Sequence, residues 1–243
     1  VDEGSPDRVS FKDVLRMLKS NNHCWIGAGI MLFYQMAVGF GAGTYYFTYI
    51  IGDISKFSLV SVLSVVLLPV MFVFPALMKK MNVARLFEIF AAIAVAGYLI
   101  IFVGNQNFPV VLTGLLLVAL LNMPLGYLGA LVIMQLATYN EYQNLPRMEG
   151  SCGIVSNFAS KVGGGIGAGI SMIMLGASGF VSSTTGNIVQ PAGALLMIRC
   201  LYSLIPAVCA VCIILLSVQL GRLCRSVPQM EQEIRDRKEA EAL

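Results

Sequence analysis

Few residues in this sequence could do chemistry, and the most informative is a lysine. Lys161 lies in SNFASKVGGGIGAGI (156–170), among residues that otherwise suit lipid. At helical spacing Asn157, Ser160 and Gly164 could share its face. A cation at mid-depth of a bilayer costs a few kcal/mol, roughly 3, so such residues face a cavity or a partner. Taking the span to start near Cys152, Lys161 is about 15 Å in at the helical rise, too deep to reach an interface readily. The chemistry is therefore solute or charge binding. Arg199 is a second cation in an apolar run, near enough to its end to snorkel. Gln35 and Tyr45 are polar enough to line a cavity, although tyrosines near a helix end also serve as interfacial belts. Asn122 could hydrogen-bond to another helix or face a cavity.

Bond-making constellations are missing. The single histidine, His23, sits at a span boundary beside Asn21 and Asn22 and reads as a surface residue. There is no metal-ligand spacing and no nucleophile elbow. GGGIGAG (163–169) has no strand before it, so helix packing explains it better than a phosphate loop. Cys209 and Cys212 have CxxC spacing inside an apolar run, without the βαβ context of a redox site. The six cysteines read as small buried hydrophobes. No cofactor is expected, and this is not expected to be an enzyme.

The elements that would position Lys161 are membrane helices. The chain is 57% hydrophobic and only 12% charged, with a mean hydropathy of +0.79. Soluble domains carry about a quarter charged residues, so composition indicates an all-α, polytopic membrane protein. The net charge of +3 gives no reason to invoke nucleic acid. Apolar runs near 24–51, 57–78, 86–103, 110–134, 152–175 and 191–220 are each of a length that can cross a bilayer. Pro69 and Pro75 mark kinks in the second, and Pro124 with Gly126 interrupts the fourth. Gly39 and Gly43 form a GxxxG that favours close packing and would also permit bending.

Residues 1–22 form a linker with a short amphipathic helix, 23–221 the six-helix bundle and 222–243 a charged tail. The polar opening, without Met or a signal-peptide pattern, reads as an internal loop of a longer chain. Basic residues fall in the N-terminal segment, the 79–85 turn, at Arg147 and in the tail, while the other connectors hold only Lys56. The positive-inside rule then puts both termini in the cytoplasm. Six helices of this orientation are one half of the common twelve-helix transporter, whose substrate site lies between halves near the midplane. No Asp or Glu lies deep in a span, and Glu88 is at a boundary.

Three stretches carry a family resemblance. TYYFTYIIGD (44–53), YNEYQNLPRMEG (139–150) and SNFASKVGGGIGAGI (156–170) are similar to the seventh helix, the loop between helices ten and eleven, and the eleventh helix of the glycoside–pentoside–hexuronide:cation symporters. That family includes the melibiose carrier and belongs to the major facilitator superfamily. IRCLYSLIPA (198–207) resembles its twelfth helix and puts Arg199 in the pattern. The resemblance implies the C-terminal half of a twelve-helix carrier in the plasma (inner) membrane. It implies a sugar or glycoside solute, hexuronides among the candidates, and alternating access with a missing N-terminal six-helix half. The coupling cation, Na+ or H+, would bind carboxylates of that missing half. Lys161 falls on the family's lysine, and Glu141, Arg147 and Glu149 are retained as cytoplasmic gate contacts. Gln135 and Thr138 stand where the family loop has two aspartates, and Gln143 where it has a lysine. These departures could mark a divergent branch. A lipid or drug carrier of the same superfamily, or a non-transporting membrane scaffold subunit, are the alternative functions.

Overall fold

A computed structural model describes Arg16 and residues 18–182 and 189–241. Among the described residues the chain is helical, without strands, and six helical runs are long and apolar enough to cross a membrane. The expected amphipathic helix near 10–19 falls mostly outside the described residues, as do positions 183–188 of the last linker.

The first span is broken. Asn21 caps α1 (Asn22–Gly39), its side-chain oxygen accepting from the His23 and Cys24 amides, which supplies acceptors for amides that have no partner within the helix. Gly41 at φ +59° then ends the helical path, and α2 (Gly43–Tyr46) restarts it and widens into a π turn over Phe47–Ile51. The bending these glycines would permit is thus present, and Gly39 also makes the expected close contact, with Gly164. Gly39 and Gly43 lie on opposite sides of the break and cannot form one continuous ridge.

The second span is also irregular. It runs as α3 (Ser55–Val65), a 3-10 segment (Leu68–Val73) and α4 (Phe74–Met78), with Pro69 and Pro75 each in the first turn of a new piece. Proline lacks the amide an interior turn needs but is tolerated where that amide would be free. By contrast α6 (Phe108–Tyr142) passes through Pro124 without a break. It also carries the polar residues 135–142, which the sequence reading placed in an intervening stretch, so the connector to α7 is short.

α5 (Val83–Gly104) is capped by Asn82 and buries one face from Val83 to Gly104 at helical spacing. Against α6 it makes a backbone-close contact: a Cβ on Gly97 or Gly114 would lie 2.6 Å from the other's carbonyl oxygen. α7 (Glu149–Ala177) packs mainly on α1. The last span comprises α8 (Ala192–Arg199), a π turn at Cys200–Leu204, and α9 (Ile205–Glu241). Pro206 cannot donate to the Tyr202 carbonyl, and the turn before it widens. α9 continues past the bilayer length and carries the charged tail as one helix.

Packing has two layers. One core cluster joins Ile26 and Ile30 of α1 to Phe87, Leu128 and Leu220, at the centre and at the end that carries both described termini. The other joins Phe40, Tyr46 and Phe47 to Ile101, Val111 and Leu201 at the opposite end.

Candidate functional site

Small residues fix how α7 is turned. A Cβ on Gly163 would collide with the carbonyl oxygen of Leu32, and one on Gly167 with that of Met36. On the α1 side, a Cβ on Gly39 would sit 2.5 Å from the Gly164 oxygen. The two backbones therefore meet directly, as small-xxx-small helix pairs do in membranes. Cys152, Ser156, Ala159, Ser160, Gly163, Gly167 and Ser171 make up the buried face. With about 100° per residue, Lys161 comes out opposite Gly163, and it is exposed. It is the thirteenth residue of the helix's 29, about 18 Å along at the helical rise. No hydrogen bond or ion pair reaches it among the described residues. Ser160, expected on the Lys161 face, is buried instead, with its hydroxyl donating to the Ser156 carbonyl.

Asn157, one turn toward the charged end, is exposed on the same side and borders a small cleft with Gly27, Met31, Gly129 and Ile133. Gln35 is half-buried where α1 crosses Gly164. Asn122 accepts a 3.0 Å hydrogen bond from the Tyr34 hydroxyl, linking α6 to α1, and remains exposed. Tyr45 lies beyond the Gly41 break, half-buried, its ring edge-on to Phe180 at 5.3 Å between centroids. Lys161 and Asn157 are thus one turn apart on the same exposed side of α7, whereas Gln35 lies at the α1–α7 contact and Tyr45 in a different layer.

At the charged end, Arg147 is placed between two carboxylates, at 3.4 Å from Glu141 and 2.9 Å from Glu149. These acids hold its guanidinium pKa above the usual value, Glu149 contributing most. Tail residues join them. Lys238 donates to Glu141 at 2.5 Å, and Arg237 donates to the Asn144 side chain at 2.9 Å and covers the Tyr142 ring.

The pattern that describes MFS/sugar transport proteins matches residues 1–220. The chain belongs to that family. Among curated proteins it is 28% identical over 215 residues to the isoprimeverose transporter of Lactiplantibacillus pentosus, covering 84% of this chain and 43% of the relative. It is 27% identical over 195 residues to the raffinose carrier protein of Pediococcus pentosaceus, covering 78% of this chain and 30% of the relative. The matched region is less than half of either relative's length. The expected resemblance to the melibiose-type symporters and the six-helix major-facilitator architecture agree with these matches.

Within this MFS family the departures have structural partners. Gln135 accepts from the Cys224 thiol at 3.1 Å, Thr138 is buried and donates to the Met134 carbonyl, and Gln143 donates to the Tyr139 hydroxyl at 3.0 Å. Neutral side chains make these contacts locally, where ionised ones would need counter-charges.

Arg199 neither snorkels freely nor reaches Lys161. Its guanidinium donates to the Phe102 carbonyl at 2.8 Å and stacks on the Phe102 ring, while the Tyr46 hydroxyl donates to the Asn105 carbonyl at 2.7 Å. Both satisfy carbonyls at the α5 C-terminus, where a cation also meets the negative end of the helix dipole. His23 is half-buried rather than freely exposed: its ring packs edge-on to Tyr139 and its Nδ1 is buried. The cysteines are not purely apolar filler either. Cys24 and Cys152 have their sulfurs 3.5 Å apart, and Asn140, itself bonded to Asn21 at 2.6 Å, donates to Cys152.

Sequence reasoning missed the roles of Asn21 and Asn140 and the docking of Arg237 and Lys238. Asn140, two residues before the end of α6 and next to Glu141, could have been picked out as an interior polar residue once α6 was extended. Nothing local in the mixed-charge tail marks which of its cations dock.

Proposed function

We propose that this chain is the C-terminal six-helix half of a secondary carrier for sugars or glycosides, working by alternating access against an N-terminal half. Lys161 and Asn157 line the cavity between the halves and contact solute hydroxyls or a carboxylate of the other half. Glu141, Arg147 and Glu149 act as a cytoplasmic gate, made in one state and loosened in the other. The carrier lies in the plasma membrane with both termini cytoplasmic, and Na+ or H+ binds in the N-terminal half.

One observation carries this reading: a lysine at mid-span of α7, without a hydrogen-bond or ion-pair partner among the described residues, on the face opposite the glycine-packed one. Against lipid such a charge would cost about 3 kcal/mol. A polar cavity removes that cost and gives the lysine work. Family membership and the names of the two relatives support a sugar as the solute.

The test is uptake of labelled sugars by vesicles containing the full-length protein. Lys161→Ala should abolish accumulation while leaving the amount of folded protein in the membrane unchanged. Normal accumulation by that variant removes Lys161 from the mechanism.

A further inference from the structure

On the outer side of the α5–α9 pair the sequence repeats one arrangement on two neighbouring helices. Along α9, Val211, Leu215 and Val218 are exposed at alternating spacings of four and three, and the stripe continues into exposed Arg222 and Arg225. Along α5, Leu99, Ala96, Ala92 and Ile89 form an exposed stripe of the same kind, ending at exposed Arg85. Each stripe is apolar within the membrane and turns cationic at the same end of the bundle. Neither carries the polar residues found around Lys161, and α7 is packed on α1, away from α5.

Where the stripes turn cationic, the helices open into a pocket bordered by Lys80, Asn82, Arg85, Glu88, Gly221 and Arg225. Gly221 lies beside Glu88, within ordinary contact distance of its carboxylate. Three cations face one carboxylate, so the pocket keeps an excess of positive charge. Arg85 is bound to Glu88 at 2.6 Å. Arg225 is held by its Nε, which donates to the Gly221 carbonyl at 3.1 Å, leaving its terminal nitrogens for a ligand. Lys80 makes no ion pair among the described residues.

We propose that this pocket binds the headgroup phosphate of an anionic phospholipid, with an acyl chain lying along the groove between the two apolar stripes. A basic pocket between helices at a membrane surface suits an anionic headgroup, and forked arginine donors suit phosphate oxygens. A free phosphate ion would satisfy the cations and leave the apolar groove unused. The proposal stands independently of the sugar-carrier reading, because it invokes neither Lys161 nor the gate.

The experiment places the full-length protein in nanodiscs of phosphatidylcholine with or without phosphatidylglycerol, then counts retained lipid by native mass spectrometry. Wild type should retain phosphatidylglycerol in preference to phosphatidylcholine. Lys80→Gln, Arg85→Gln and Arg225→Gln should each weaken retention roughly fivefold, the worth of one basic side chain at an anionic surface. Arg225→Lys should hold most of it. Glu88→Gln should strengthen it, a direction that damage to the fold would not give, and Lys56→Gln at the far end should leave it unchanged. Added inorganic phosphate should not displace the lipid. Equal retention by wild type and the three neutral variants would overturn the proposal. So would displacement by inorganic phosphate, or losses in Arg225→Lys and Glu88→Gln as large as in Arg225→Gln.

Discussion

Lys161 and Arg199 are both cations in apolar spans, and the structure treats them differently. Arg199 is taken up by backbone: one nitrogen on the Phe102 carbonyl, its plane on the Phe102 ring, at the end of a helix whose dipole welcomes a cation. Lys161 projects from the middle of α7, opposite the face that Gly163 and Gly167 press onto α1, and no hydrogen bond or ion pair reaches it among the described residues. A charge in a span is therefore not by itself a site. What matters is whether the fold has already supplied its partner, and for Lys161 the described residues supply none.

That contrast can be broken in several ways. The largest expected effect is functional: loss of uptake in Lys161→Ala with folding intact, whereas Arg199→Ala should lower stability and spare uptake per folded molecule. If the two variants exchanged phenotypes, the assignment would be inverted. Next in size is the packed side of α7. Gly163→Leu puts a side chain where a Leu32 carbonyl already stands, at a cost of about 1–3 kcal/mol or more, read as lost folded protein on size-exclusion chromatography of detergent extracts. Arg199→Ala comes third. It strips a charged donor from the Phe102 carbonyl, worth about 1–3 kcal/mol, measured as a lower thermal midpoint. The smallest effect belongs to the tail. Lys238 is 67% exposed against a Glu141 that is 18% exposed, so Lys238→Ala should cost at most about 1 kcal/mol. It should show chiefly as faster proteolysis of the tail, and unchanged cleavage would mean the docking is not held in solution.

Spans were legible in the sequence because bilayer thickness imposes length and composition on each one. The same constraint made Lys161 conspicuous, since any charge at that depth contrasts with its surroundings. The glycines were legible in kind: the run at 163–169 does pack a helix. Their partners were not, because helix contact depends on rotation and register that no local pattern fixes. Arg199 looked ambiguous for a related reason. Its partner is a backbone carbonyl 97 positions away, and a backbone carbonyl leaves no mark in a sequence. The polar residues 135–142 looked like a connector because polarity usually means water. Here it means only that α6 has outrun the membrane while remaining a helix. His23 is half-covered for the converse reason: a boundary position says nothing about how far Tyr139 will pack over it.

The break at Gly41 has a mechanical consequence. The start of the first span, at Ile26 and Ile30, belongs to the cluster of Phe87; around and beyond the break, Phe40, Tyr46 and Phe47 belong to the cluster of Ile101 and Leu201. A single rigid rod would transmit a push at one end of the bundle straight to the other. Here the rod is divided, and what ties the two storeys together is packing: Phe33 of α1 and Tyr98 of α5 touch both clusters. The first span is thus a linkage between two floors, with its hinge pin near the level where α1 leaves its grip on α7.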